Sequence, residues 1–273
     1  RLISGLLAAQ PFFSVITGDD SLRKRPMKRI TKPLILMGSK ISGREDGSLA
    51  PLSINGGNLA GIEYEMPVAS AQLKSAILLA GMHAKSKTTI FQPAKSRDHT
   101  ERMMKAMGAD ISYWDESLEI SISNSQLNSM DVVVPCDISG ASFWMIAGCC
   151  HPNADIKITN VGINPSRTGV LEVLQEMGAN ISKENVSSQS GEPTADIIVK
   201  TSKLKSVEIG GAIIPRVIDE LPILALAACF AEGKTIIRDA KELRVKESDR
   251  ISATVSGLKT LGATITETED GMI

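Results

Sequence analysis

The sequence predicts a mixed fold, α/β (α+β), in which repeated βαβαββ units form two domains. One observation is an internal echo: Met37-Gly38-Ser39-Lys40-Ile41, Met107-Gly108-Ala109-Asp110-Ile111, Met177-Gly178-Ala179-Asn180-Ile181 and Leu261-Gly262-Ala263-Thr264-Ile265, with glycines seventy, seventy and eighty-four residues apart. Recurrence on this scale marks one supersecondary unit built several times. A second is the order of elements around each echo, apolar helix, β-branched strand, polar loop, then amphipathic helix. The third is the pair of β-rich segments after each glycine, which read as a hairpin.

The elements follow in order. Apolar helices are expected over residues 2–10, 70–84, 139–150 and 219–232, each followed by a short strand, at 13–18, 87–91, 155–161 and 234–238. β-branched residues dominate those strands, as a pleated, half-buried surface favours. In the last unit Ile251, Val255, Leu258 and Leu261 step by four, three and three, one apolar stripe of helical period. The echo glycine ends each second helix as the C′ residue, because a residue without Cβ takes the left-handed conformation there. Residues 110–113 and 118–122 read as one hairpin, and 131–134 as a return strand. Pro33 falls inside the second helix of the first unit and is expected to kink or shorten it. The domain boundary is read at Pro135-Cys136-Asp137, giving residues 1–136 and 137–273, with a natural cleft where two such bodies meet.

Composition limits the function. The chain has 273 residues, enough for two ordinary domains, with 42% hydrophobic and 22% charged residues. Thirty Lys and Arg against thirty-one Asp and Glu leave a net charge of −1, so no global positive field exists for a nucleic acid or an anionic membrane. Anion binding has to be local. The apolar run over residues 221–231 is too short to span a bilayer, and no signal peptide is visible. A cytoplasmic location is expected, or a plastid if a transit peptide has been removed. Both ends look cut, since the chain opens at Arg1 within a helix and stops at Ile273 where the last unit should turn back. Cys136, Cys149, Cys150 and Cys229 form no C-x-x-C pair and read as reduced, buried thiols. No metal and no cofactor is expected.

The polar loops carry the chemistry. They read Ser21-Leu22-Arg23-Lys24-Arg25-Pro26, Ser96-Arg97-Asp98-His99-Thr100-Glu101-Arg102, Asn164-Pro165-Ser166-Arg167-Thr168-Gly169 and Glu242-Leu243-Arg244-Val245-Lys246-Glu247-Ser248-Asp249-Arg250. Ser96 or Asp98 is suited to cap the helix that follows. A mixed-charge run is usually a solvated helix face. Recurrence at one position of successive units points instead to anionic, phosphorylated ligands, because helix starts and guanidinium forks both match phosphate oxygens. Two helix starts also carry polar groups, Ser70-Ala71-Gln72 and Asp219-Glu220. Asp219 reads either as a cap or, in a cleft beside a hydroxyl, as a general base, with Glu247 as a candidate acid.

The strings Arg23-Lys24-Arg25-Pro26-Met27, Ala69-Ser70-Ala71-Gln72-Leu73-Lys74-Ser75, Ser96-Arg97-Asp98-His99-Thr100-Glu101-Arg102, Asp219-Glu220-Leu221-Pro222 and Leu243-Arg244-Val245-Lys246-Glu247-Ser248-Asp249-Arg250 together resemble the EPSP synthase family, the 5-enolpyruvylshikimate-3-phosphate synthases, in the family's order and across nearly the whole chain. The resemblance implies the enolpyruvyl transferase fold, an inside-out α/β barrel with three βαβαββ units per domain, so that about a third of the enzyme lies outside this chain. It implies transfer of the enolpyruvyl group from phosphoenolpyruvate to the 5-hydroxyl of shikimate 3-phosphate, through a tetrahedral intermediate and with loss of phosphate, on the way to chorismate and aromatic amino acids.

By motif, Ser70, Ala71 (through its backbone), Gln72, Ser96, Arg97, Asp219 and Lys246 are expected at shikimate 3-phosphate, and Arg25, Gln72 and Arg250 at phosphoenolpyruvate. Asp219 would take the hydroxyl proton and Glu247 would protonate the methylene carbon. Arg1 fits the arginine ending a G-N-x-G-T-x-x-R segment, and Glu242 stands where some members carry Asn. The resemblance further implies a monomer whose partners are those two small molecules, and a target of glyphosate. Two rivals remain at this point. One is the sister UDP-N-acetylglucosamine enolpyruvyl transferase family, which usually carries a reactive Cys in the first loop, where residues 18–26 here hold none. The other is a non-catalytic anion-binding or RNA-end-processing relative.

Overall fold

The computed structural model describes residues 1–113 and 118–273, Gln189 without its side chain. The chain divides into two compact units, Arg1–Asp131 and Val132–Ile273.

The first unit contains α1 (Leu2–Ala8), β1 (Phe13–Ile16), α2 (Asp20–Lys24), α3 (Lys28–Leu36), β2 (Lys40–Gly43), the one-turn α4 (Arg44–Gly47), β3 (Leu49–Asn55), β4 (Glu63–Glu65), α5 (Ala71–Gly81), β5 (Thr88–Phe91), α6 (His99–Ala106), β6 (Ile111–Tyr113) and β7 (Glu119–Ile122). β4 to β7 are one whole βαβαββ module. Its sheet runs β4-β5-β7-β6, with β4 parallel to β5 and the other pairs antiparallel. Residues 114–117, between β6 and β7, lie outside the described residues. β1, β3 and β2 make a second, antiparallel sheet.

The core of this unit gathers Ile30 and Leu34 of α3, Ile54 of β3, Leu73 and Ile77 of α5 and Ile90 of β5. α5 is buried nearly all round, from Leu73 to Leu78 and at Ala80 and Gly81, which is why its sequence is apolar without a polar face. α1 lies close against it. A Cβ on Gly5 would stand 2.0 Å from the Ala76 carbonyl oxygen, so only glycine permits this approach.

The second unit contains α7 (Ile138–Cys150), β8 (Asp155–Gly162), α8 (Gly169–Glu176), β9 (Asn180–Gln189), β10 (Glu192–Lys200), β11 (Glu208–Ile209), α9 (Ile214–Val217), α10 (Leu221–Ala228), β12 (Ile236–Ile237) and α11 (Arg250–Thr260), with a 3-10 turn over Lys241–Val245. β8, β10 and β9 form an antiparallel sheet, and β11 pairs in parallel with β12. Met145, Leu174, Ile197, Leu221, Leu224, Ile251 and Val255 meet in its core.

Each echo glycine has a positive φ: Gly38 108°, Gly108 85°, Gly178 85° and Gly262 94°. The residue after each donates its N–H back across the helix end, Ser39 to Leu34, Ala109 to Met104, Ala179 to Leu174 and Ala263 to Leu258. That is a Schellman ending four times over, and the sequence echo is its chemical requirement.

Four expectations are corrected. Residues 131–134 form no strand; Val134 is 78% exposed, and the chain rejoins the sheet only at Cys136, bridged to Val161. Three valines favour a strand only where an edge and a buried face receive them. α3 runs through Pro33 for nine residues, longer than α6 or α8, so the proline does not shorten it. The helix expected over 219–232 is the shorter α10, and a separate helix, α9, ends before it at Val217, because the ring of Pro222, at the second position of α10, cannot follow a continuous helix through residue 218. Asp219 and Glu220 are left at the break. Finally, Cys136 and Cys229 are exposed rather than buried; all four thiols are free.

Candidate functional site

In the first unit the anion-binding candidates gather around the start of α5. Ser70 caps that helix, its Oγ accepting from the Leu73 N–H at 3.4 Å. Ala71 and Gln72 form its first turn. The Gly5 contact holds α1 against α5, and Arg1, the residue capping α1, donates to Gln72 Oε1 at 2.8 Å and to the Pro26 carbonyl at 3.0 Å. Arg25 ends α2, one residue before that carbonyl.

Burial, followed by the charges of Arg29 and Arg25, pushes the Arg1 guanidinium below its ordinary pKa. The smaller part of this depression, from Arg29 and Arg25, marks positive charge around Arg1 that favours an anion. The Nε atoms of Arg1 and Arg29 are buried without a hydrogen-bond partner, donors that an anion would satisfy.

Ser96 is tied to the same helix through Lys74. The Lys74 ammonium, 1% exposed, donates to the Ser96 carbonyl at 3.2 Å and pairs with Glu101 at 2.6 Å. Ser75 and Thr100 add a hydroxyl contact of 2.7 Å between α5 and the first turn of α6. These contacts fix the loop bearing Ser96 and Arg97 relative to Ser70 and Gln72. The Ser96 hydroxyl donates to Gln92 Oε1 at 3.1 Å, and Arg97 lies half-buried beside it. Neither Ser96 nor Asp98 caps α6 with its side chain: Asp98 stands at the cap position, and its carboxylate instead takes the Arg102 Nε–H at 2.7 Å. Burial pushes the Glu101 carboxyl up despite the opposing pull of Lys74.

In the second unit one guanidinium joins both candidate proton-transfer groups. Arg250, first residue of α11, donates Nη1–H to Asp219 Oδ1 at 3.2 Å and Nη2–H to Glu247 Oε2 at 2.8 Å. Asp219 is not a helix cap: Glu220 occupies that position on α10. Lys246 stands apart from this trio in its bonding, its ammonium on Glu242 at 2.9 Å. Asp249 caps α11, and the Ser252 backbone N–H, then Arg244, hold its carboxyl below the usual range.

Sequence reasoning missed Lys74 with Glu101, and Arg29. The available signal for the first was a lysine set inside the apolar run Leu73–Leu78. Among the described residues no three His, Cys, Asp or Glu are grouped to hold a metal ion, and no helix is long and apolar enough to cross a membrane.

Repeated βαβαββ modules thus carry a guanidinium cluster in the first unit and a guanidinium-bridged carboxylate pair in the second. The family model described as EPSP synthase (3-phosphoshikimate 1-carboxyvinyltransferase) matches residues 1–273. A 3-phosphoshikimate 1-carboxyvinyltransferase of Bacillus subtilis is 53% identical over 273 residues, and one of Geotalea daltonii 52% over 272, each alignment covering 100% of this chain and 63% of the relative. An EPSP synthase structure from Acinetobacter baumannii superposes with a TM-score of 0.90 at 48% identity, over 99% of this chain and 61% of that one. The enolpyruvyl transferase NikO from Streptomyces tendae shares the fold, with a TM-score of 0.64 over 87% of this chain and 55% of its own, at 19% identity. The chain belongs to the EPSP synthase family. It spans about 63% of the length of the curated relatives it matches. These relatives favour the shikimate branch over the UDP-N-acetylglucosamine one.

Proposed function

We propose that this chain is the greater part of an enzyme that transfers the enolpyruvyl group of phosphoenolpyruvate to the 5-hydroxyl of shikimate 3-phosphate. Ser70, the Ala71 backbone, Gln72, Ser96, Arg97 and Lys246 hold shikimate 3-phosphate. Arg25 and Arg250, with Gln72, hold the donor's carboxylate and phosphate, and Arg1 supports Gln72. Asp219 accepts the hydroxyl proton as the oxygen attacks the donor's second carbon, and Glu247 delivers a proton to its methylene carbon. The tetrahedral intermediate then collapses: its methyl carbon returns a proton to Glu247 as the bond to the phosphate oxygen breaks, which restores the double bond, and the proton held by Asp219 leaves with the phosphate. Acid and base on different segments suit a reaction in which one carbon gains a proton while its neighbour gains an oxygen.

The observation that carries this reading is Arg250, bonded at once to Asp219 and Glu247. A donor anion arriving there competes with both carboxylates for one guanidinium, so donor binding and release of the acid–base pair become a single exchange. Glu242 serves Lys246 by holding its ammonium. The same reading gives a monomer acting on small molecules in the cytoplasm or a plastid, which gel filtration and fractionation test.

The direct test is phosphate release by the polypeptide at its relatives' length, with Asp219→Asn beside it. Loss of turnover with shikimate 3-phosphate binding kept is expected. Turnover unchanged by the substitution removes Asp219 from its role.

A further inference from the structure

Glu220, next to Asp219, is 2% exposed, and its Oε1 is held by two neighbours. The Ser139 hydroxyl on α7 donates to Glu220 Oε1, and Arg167, from the loop before α8, donates to the Ser139 hydroxyl and to Glu220 Oε1, the latter at 3.4 Å. Asp137, which caps α7 through the Ser139 N–H, stands 3.6 Å from the same Arg167 nitrogen. Three segments distant in sequence thus converge on one buried side chain at the start of α10.

A buried carboxylate of this kind is costly unless paired, and replacing it by an apolar group of similar size is often neutral or stabilising. A role beyond folding is therefore the question to ask of it. Its backbone supplies one. Glu220 N–H bonds the Val217 carbonyl and its own carbonyl receives the Leu224 N–H, so this residue locks the break between α9 and α10 on both sides. Asp219 sits in that break, one residue before Glu220, with its carboxylate on Arg250.

We infer that Glu220, clamped by Ser139 and Arg167, is a positioning residue that aims the Asp219 carboxylate. The inference rests on the reading of Asp219 as the proton acceptor. A misplacement of an ångström at a reacting group costs up to about a hundredfold in rate. Glu220→Gln keeps shape and the Ser139 hydrogen bond while removing the charge that Arg167 grips.

The test compares wild type, Glu220→Gln, Arg167→Met and Arg167→Lys at full length, by steady-state phosphate release and thermal unfolding. Expected is a drop in kcat of about 10–100-fold for Glu220→Gln and Arg167→Met, with KM for both substrates within about twofold, and partial recovery in Arg167→Lys. A shift in unfolding temperature with kcat of the folded protein unchanged overturns the inference and leaves the functional reading standing. A crystal structure of Glu220→Gln decides independently of turnover. The 3.2 Å contact of Asp219 with Arg250 is expected to open, and its retention overturns the inference even where wild type releases no phosphate.

Discussion

Arg1 of the first unit and Arg250 of the second are held in opposite ways. In the first, the Arg1 guanidinium leans on neutral groups, the Gln72 amide and the Pro26 carbonyl, and the neighbouring Arg25 and Arg29 raise the local potential further. In the second, Arg250 is bonded to Asp219 and Glu247, and Lys246 to Glu242. Held by neutral acceptors, a cation keeps its field for an incoming anion; held by carboxylates, it gives that field up until something displaces them. The first arrangement suits capture of a ligand, and the second suits chemistry that begins only once the ligand is in place.

The sharpest way to break this contrast is Glu247→Gln. If the second unit does the chemistry, kcat at full length falls about 10²–10⁴-fold while shikimate 3-phosphate binds as before by calorimetry. A parallel loss of affinity would merge the two roles. Lys74→Met tests whether the first unit's frame depends on its buried pair. Leaving Glu101 buried without its partner costs about 3–5 kcal/mol, read by urea denaturation, and Lys74→Met with Glu101→Leu is expected to recover most of it. An unchanged midpoint for the single variant would show that the pair does not hold the Ser96 loop to α5.

Arg25→Gln should act on capture alone. Losing one charge-assisted contact of about 1.5–3 kcal/mol raises KM for phosphoenolpyruvate roughly 10–150-fold with kcat little changed, whereas a fall in kcat alone would move Arg25 into the chemistry. The smallest effect is on acid stability. Asp196 is held down to about 2 by the Asn160 N–H, with Asn185 and Lys157 assisting, and Asp249 is also depressed. Depressed carboxylates contribute stability above their ordinary value near 3.8 that is lost as pH falls toward about 2. Glu101 is shifted upward from 4.5, so its contribution runs the other way and is largest below that pH. Hydrogen exchange resolved by segment between pH 4.5 and 2 should show β8, β10 and the start of α11 loosening before α5 and α6. Simultaneous loosening would erase the contrast.

Much of the fold was legible in residue order. The left-handed requirement at Gly38, Gly108, Gly178 and Gly262 is a property of a single residue, and so the four helix ends could be read directly. The strand at 131–134 could not be judged this way, since its valines needed a partner the local sequence does not contain. Within the candidate site, the residue types at Asp219, Glu247 and Arg250 pointed to base, acid and anion clamp. The bond of Asp219 to Arg250 needs two segments thirty-one residues apart to meet, which no local signal announces. Lys74 with Glu101, and Ser139 with Arg167 and Glu220, join segments far apart in the chain, and nothing local marks either partner for the other.

The seat of α1 on α5 has an evolutionary corollary. Because Gly5 meets a main-chain oxygen of Ala76, no compensating side-chain substitution on α5 can make room for a methyl group there. The outward residues Leu2, Ile3 and Leu6 carry no such constraint, whereas position 5 admits glycine alone.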